Sequence, residues 1–240
     1  MADQAVFLGI DDVSLPLRRN LGCYLAKPAV CREPVLAPRR GDSHAPDNAA
    51  AHFYGSVIHE GDRFRMWYYA CHWGAAPDPA NPRLGRLIEG PVCYAESADG
   101  IRWDRPALGQ VVWPGSPANN VVRLAELHTE GVHVIKDEKD SDPSRRYKMI
   151  YNYRPPNRPF WTIRTAASAD GLRWRAGREL PLDAFLEQAS LYEFNGLYFA
   201  NGQMLGRSEG GHASGRQAYV AVSPDFENWL PEYGESFRLP

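Results

Sequence analysis

The sequence predicts an all-β fold of four-stranded antiparallel sheets repeated along the chain. Three observations predict it. A seven-residue turn motif recurs, each copy lies between short alternating runs, and glycine (21) and proline (20) are frequent among the 240 residues. Alternation of apolar and polar residues over five or six positions is the pattern of a half-buried strand, and glycine and proline supply the turns between strands. Helical patterning is confined to Leu180–Glu187, where PLDAFLE fits a short helical turn.

The motif reads SADGIRW from Ser97 to Trp103, SADGLRW from Ser168 to Trp174 and SPDFENW from Ser223 to Trp229. At average composition a fixed Ser-x-Asp-x-x-x-Trp is expected about 0.02 times in such a chain. Strand-like VCYAES, TIRTAAS and AYVAVS precede the three copies. The Ser and Asp oxygens suit capping of local backbone N–H groups, and the Trp begins the next strand with a large apolar face.

A second hairpin lies upstream of each copy. Tyr54–Ala70, Val132–Tyr153 and Ala189–Gln203 each combine an apolar strand, a polar turn and an aromatic-rich strand. Two hairpins per unit make a four-stranded sheet, and such sheets repeated are the blades of a β-propeller. The predicted blades span about residues 50–115, 128–182 and 187–240 of one domain covering 1–240. Propellers close with four or more blades. The count therefore predicts a C-terminally truncated propeller, with about two blades missing.

Composition narrows function. A net charge of -2 with scattered arginines excludes a basic nucleic-acid binder. No apolar run reaches the roughly 18 residues of a membrane helix. The N-terminus has no secretory pattern, and Cys23, Cys31, Cys71 and Cys93 lack metal or C-x-x-C spacing. These features lead us to expect reduced thiols and a cytoplasmic location. Neither a Walker loop nor a G-x-G-x-x-G loop occurs, so nucleotide use is unsupported and no cofactor is expected.

Together, YGSVI…RFRMWYYA, YAESADGIRW, RRYKMIYNY and EFNGLYFANGQ resemble the five-bladed β-propeller glycosidases, nearest to family 32-like N-terminal domains in the clan that includes families 43 and 68. The resemblance covers about residues 45–235. Sialidase Asp boxes have one more residue between Asp and Trp, so the motif here differs from theirs. The resemblance implies a glycoside hydrolase acting on an oligo- or polysaccharide, with carboxylates entering an axial channel from the innermost strands. Two carboxyl groups, an acid and a nucleophile or base, are what glycosidic cleavage needs.

Carried onto this chain, the resemblance places the general acid at Glu187. His52 stands where the first-blade nucleophile belongs, and Asp47 is the nearest carboxylate. His128 stands at the second-blade position, with Glu130 two residues on. Asp47 is thus the expected nucleophile or base. His52 and His128 are expected to line the site and bind sugar hydroxyls or share in proton transfer. Glu130, Trp67 at the channel rim and His212 in a loop are expected to contact sugar. No metal is expected; a divalent ion at His52, His128 and Glu187 is the alternative to histidines that simply hydrogen-bond to water and neighbouring strands, since imidazoles with a carboxylate suit one. A sugar-binding propeller that has lost its nucleophile is the alternative to an enzyme.

Overall fold

The computed structural model describes residues 19, 26–73, 87–113, 116–181, 185–207 and 213–232. The chain divides into two compact units, Met1–Pro34 and Val35–Pro240, and every strand described below belongs to the second. Its first sheet has the order β1 (Ala50–Glu60), β2 (Arg63–Trp73), β3 (Leu87–Ser97). The second contains β4 (Thr129–Lys136), β5 (Tyr147–Tyr153), β6 (Thr162–Ser168) and β7 (Arg175–Glu179). The third contains β8 (Leu186–Phe194), β9 (Leu197–Arg207), β10 (Ala213–Ser223) and β11 (Leu230–Glu232). All neighbouring strands are antiparallel.

Two expectations need correction. The first sheet has three regular strands, and its fourth position holds only isolated bridges from Asp104 to Glu96 and from Val121 to Cys93. Leu186 and Glu187 begin strand β8 and are not helical, because pairing with Met204 and Gln203 satisfies their backbone. The one helix among the described residues is a single 3-10 turn at Pro143–Arg145. No described helix is long and apolar enough to cross a membrane. Cys31, Cys71 and Cys93 are free thiols, while Cys23 lies outside the described residues.

The repeated turns form as their residues dictate. Ser97 Oγ accepts from the Asp99 and Gly100 N–H groups, and Asp99 Oδ1 accepts from Ile101 and Arg102. Trp103 Nε1 closes the turn on the Gly100 carbonyl. Ser168–Trp174 repeats every one of these bonds. Ser223–Trp229 keeps the Asp225 pair to Glu227 and Asn228, with Phe226 in the left-handed position that glycine holds in the other copies.

Side-chain alternation along each strand sorts the apolar residues into layers. Trp67, Val92 and Tyr94 of the first sheet pack with Val132, Tyr147, Met149 and Tyr151 of the second. Ile150 and Ile163 of the second sheet pack with Leu191, Tyr198 and Tyr219 of the third. Tyr68, Ala70 and Cys93 point to the first sheet's other face, where Leu36, Trp103 and Trp113 cover them.

A polar clasp crosses each seam. Between the first two sheets, Arg65 donates to Tyr147 Oη at 2.7 Å, to Glu60 at 3.0 Å and to the Asp170 carbonyl at 2.6 Å. Between the second and third, the fully buried Lys148 binds Asp137 at 2.9 Å and Asp140 at 2.7 Å. There Tyr198 donates to Asp137, and Arg145 donates to the Asp225 carbonyl. The pattern is the same at both seams: a strand-end carboxylate, a cation, a tyrosine of the next sheet and the carbonyl of that sheet's Asp turn.

Candidate functional site

Strands β1, β4 and β8 each begin one sheet, and each carries a register shift close to its start. The shifts fall between His52 and Ser56, between Glu130 and Val132, and between Gln188 and Ser190. A bulge of this kind re-aims the side chains beside it. At Glu130 the extra residue is Gly131, whose φ of +61° suits glycine and whose missing side chain leaves room for the Gln188 amide.

Glu187 at the start of β8 and Glu89 of β3 lie within electrostatic reach of Glu130 at the start of β4. Gly90 explains how Glu89 reaches the site. Its φ is +85°, and a Cβ there would lie 2.3 Å from the Leu127 carbonyl oxygen. Only glycine lets β3 approach the backbone leading into Glu130 so closely. Asn152, paired with Glu130 in register, donates to the Leu186 carbonyl at 2.6 Å and accepts from Gln188 N at 3.1 Å. This side chain fixes the start of β8, and hence Glu187, against the second sheet. Gln203 donates to the Glu187 carboxylate.

No lysine or arginine pairs with Glu89, Glu130 or Glu187 among the described residues. Burial and the fields of Glu89 and then Glu187 therefore push the Glu130 carboxyl up to about 7. Burial raises Glu89 as well. Cys71 is pushed up to about 12 by burial and by Glu89 and Glu130, and the Tyr69 hydroxyl is raised for the same reasons. His52 stacks on Tyr69 with ring centroids 4.5 Å apart, and burial lowers its affinity for a proton. The buried Tyr219 hydroxyl faces the field of Glu187 and has no hydrogen-bond partner among the described residues.

The other expected site residues fare differently. Asp47 does not join the cluster. It is fully buried, with Oδ1 on Arg39 Nε at 2.6 Å and Oδ2 on Arg105 Nε and Tyr68 Oη, both at 2.9 Å. Tyr68 belongs to the first sheet's far face, so these bonds hold Asp47 away from the carboxylates. Trp67 is likewise no rim residue: it is fully buried and donates to the Gly171 carbonyl at 2.8 Å. Trp73, six residues further along the same face of β2 and 56% exposed, is the aromatic at that end. His128 is exposed, with Nδ1 3.4 Å from the Glu89 carbonyl. Among the described residues no group of three or more His, Cys, Asp or Glu side chains is placed to hold a metal ion. His212 lies outside the described residues.

Glu89 and Asn152 escaped the sequence reading. The Glu-Gly-Pro step of LIEGPVCYAES was the available signal for Glu89, since a glycine before a proline inside a strand marks an irregular or closely approached backbone.

No protein-family model and no curated protein matches this chain, but solved structures do. One is a glycoside hydrolase, 20% identical with a TM-score of 0.53 over 88% of this chain and 54% of that one. Another is a family 117 glycoside hydrolase from Zobellia galactanivorans, 11% identical, with a TM-score of 0.51 over 77% and 56%. A third is a sucrose-6-phosphate hydrolase from Lactobacillus gasseri, 14% identical, with a TM-score of 0.50 over 79% and 36%. The chain spans little more than half the length of the first matching structures, 57% and 56%. At these identities the likeness is one of architecture: this chain shares the fold of glycoside hydrolases.

Proposed function

We propose that the chain is a carbohydrate-active protein that cleaves glycosidic bonds by carboxylate acid–base chemistry, with an oligo- or polysaccharide as substrate. One observation carries the reading: Glu89 and Glu187, from two other strands, lie within electrostatic reach of the half-buried Glu130, and no lysine or arginine among the described residues pairs with any of the three. Burial with the two neighbouring carboxylates pushes Glu130 up to about 7. Glu130 is the general acid. Its proton passes to the glycosidic oxygen as the bond to the anomeric carbon breaks, and its pKa near the working pH suits that transfer. Glu187 is the second carboxylate, facing the positive charge that develops on the sugar and accepting a proton from the attacking water or attacking in its place. Glu89 adds negative charge that keeps Glu130 protonated. This reassigns Glu187 from acid to partner, and it leaves Asp47 a structural residue.

The test is hydrolysis of a panel of aryl glycosides and oligosaccharides by the full-length protein. Glu130→Gln should slow turnover by about 10²- to 10⁴-fold. Wild-type activity should fall as pH rises past about 7 and Glu130 gives up its proton. Unchanged turnover in Glu130→Gln would remove the acid assignment. The presence of His52 in the first strand, where the resemblance expects a carboxylate, favours a second reading: a sugar-binding protein without hydrolysis. Glycan binding with no turnover across the panel would select that reading.

A further inference from the structure

A cavity of about 430 Å³ opens on the seam between the second and third sheets, and none of the residues lining it belongs to the glutamate cluster. Its rim carries Arg145, Arg175 and Arg178. The small Ala167 and Ala176 and the aromatic Phe226 of the third Asp turn also line it. Arg175 and Arg178 reach the same cavity because the register of β6 with β7 shifts between Arg164 and Ala166, inserting an extra residue into β7 between them.

The equivalent place on the first seam sets a standard. That cavity, of about 320 Å³, is lined by Arg63 and Arg65 with Glu60 and Glu96. Each arginine there has its own carboxylate: Arg63 with Glu96 at 3.4 Å and Arg65 with Glu60 at 3.0 Å. On the second seam the single lining carboxylate, Glu227, is 2.8 Å from Arg145, which also meets Asp140 at 3.4 Å. The Arg178 guanidinium donates to the Asn228 amide oxygen at 3.3 Å and forms no ion pair among the described residues. Arg175 forms no ion pair among the described residues, although Asp142 lies within its electrostatic reach. Of two cavities built on one plan, the first is neutral and the second holds two guanidinium groups in excess.

We propose that the second-seam cavity binds a compact organic anion, with a carboxylate or phosphate held by Arg175 and Arg178 and an apolar face set against Phe226 and the lining alanines. Guanidinium forks bind such oxygens in pairs, and the volume falls within the range of small-molecule sites. The site is separate from the glutamate cluster and does not depend on the hydrolase reading.

The experiment is calorimetric titration of the full chain with glucuronate, glucose 6-phosphate, inorganic phosphate and glucose. One or both organic anions should bind, more weakly as salt rises, and glucose should not. The carboxylate and phosphate arms tell which group the arginines prefer. Because Arg175 and Arg178 are exposed on an edge strand, the double variant Arg175→Ala/Arg178→Ala should keep wild-type unfolding and lose affinity by about 10-fold or more. No binding by either organic anion, or unchanged affinity in the double variant, would overturn the site. Inorganic phosphate binding as tightly as the organic anions would overturn the assignment to an organic ligand.

Discussion

Asp47, bonded to Tyr68 of the first sheet, and Glu130, at the start of the second, manage negative charge in opposite ways. Asp47 is sealed from solvent between Arg39 and Arg105, and all its bonds are internal. Glu130 pairs with no lysine or arginine among the described residues; burial and the fields of two more carboxylates push it up to about 7. Charge that the fold neutralises is spent on cohesion. Charge that only a proton neutralises is available for chemistry.

Removing a partner at Asp47 breaks the comparison at its strong end. Asp47→Ala leaves two guanidinium groups without their carboxylate and should cost roughly 3–5 kcal/mol in urea unfolding; a cost near zero would mean that the network contributes nothing to cohesion. Next in size is Gly90→Ala, which meets both the φ of +85° and the Leu127 carbonyl. It should cost at least about 1–3 kcal/mol, and by moving Glu89 away it should lower the apparent pKa of Glu130, a shift that carboxyl NMR titration reads.

Glu130→Gln sharpens the comparison through pH. The folded pKa of about 7 lies above the ordinary 4.5, so the stability linked to the bound proton is complete below about 4.5 and is lost as pH rises through 7. The variant should therefore be more stable than the wild type at pH 8 and no different at pH 4; equal stability at both values would show that Glu130 is not held protonated. Trp73→Ala should have the smallest effect, a few-fold rise in KM for oligosaccharides with kcat little changed, because an exposed ring at the strand end has only stacking to offer. A collapse in kcat would put it within the chemistry instead.

Much of the fold was legible because it is periodic. The Ser-x-Asp-x-x-x-Trp turns are set by bonds within seven residues, and the hairpins upstream alternate cleanly, so sheet membership followed from local pattern. The glutamate cluster was only half legible. Glu130 and Glu187 lie where a resemblance pointed, but Glu89 reaches them through a close backbone approach at Gly90 that no spacing announces. Asp47 misled for the opposite reason. It lies near the expected position in sequence, yet Tyr68, Arg39 and Arg105 draw it to the sheet's other face, and those partners lie 21, 8 and 58 residues from it along the chain. At Leu186 and Glu187, the end of the suggested helical turn, strand pairing won, since tertiary context overrides a short helical propensity.

The register shift near the start of β1, β4 and β8 has an evolutionary corollary. A kink at that point insulates what lies on either side: the clasps deeper in the seams keep their alignment whatever residue occupies the opening. Diversification at His52, Glu130 or Glu187 thus proceeds without retuning the framework, which lets one scaffold sample new specificities at little structural risk.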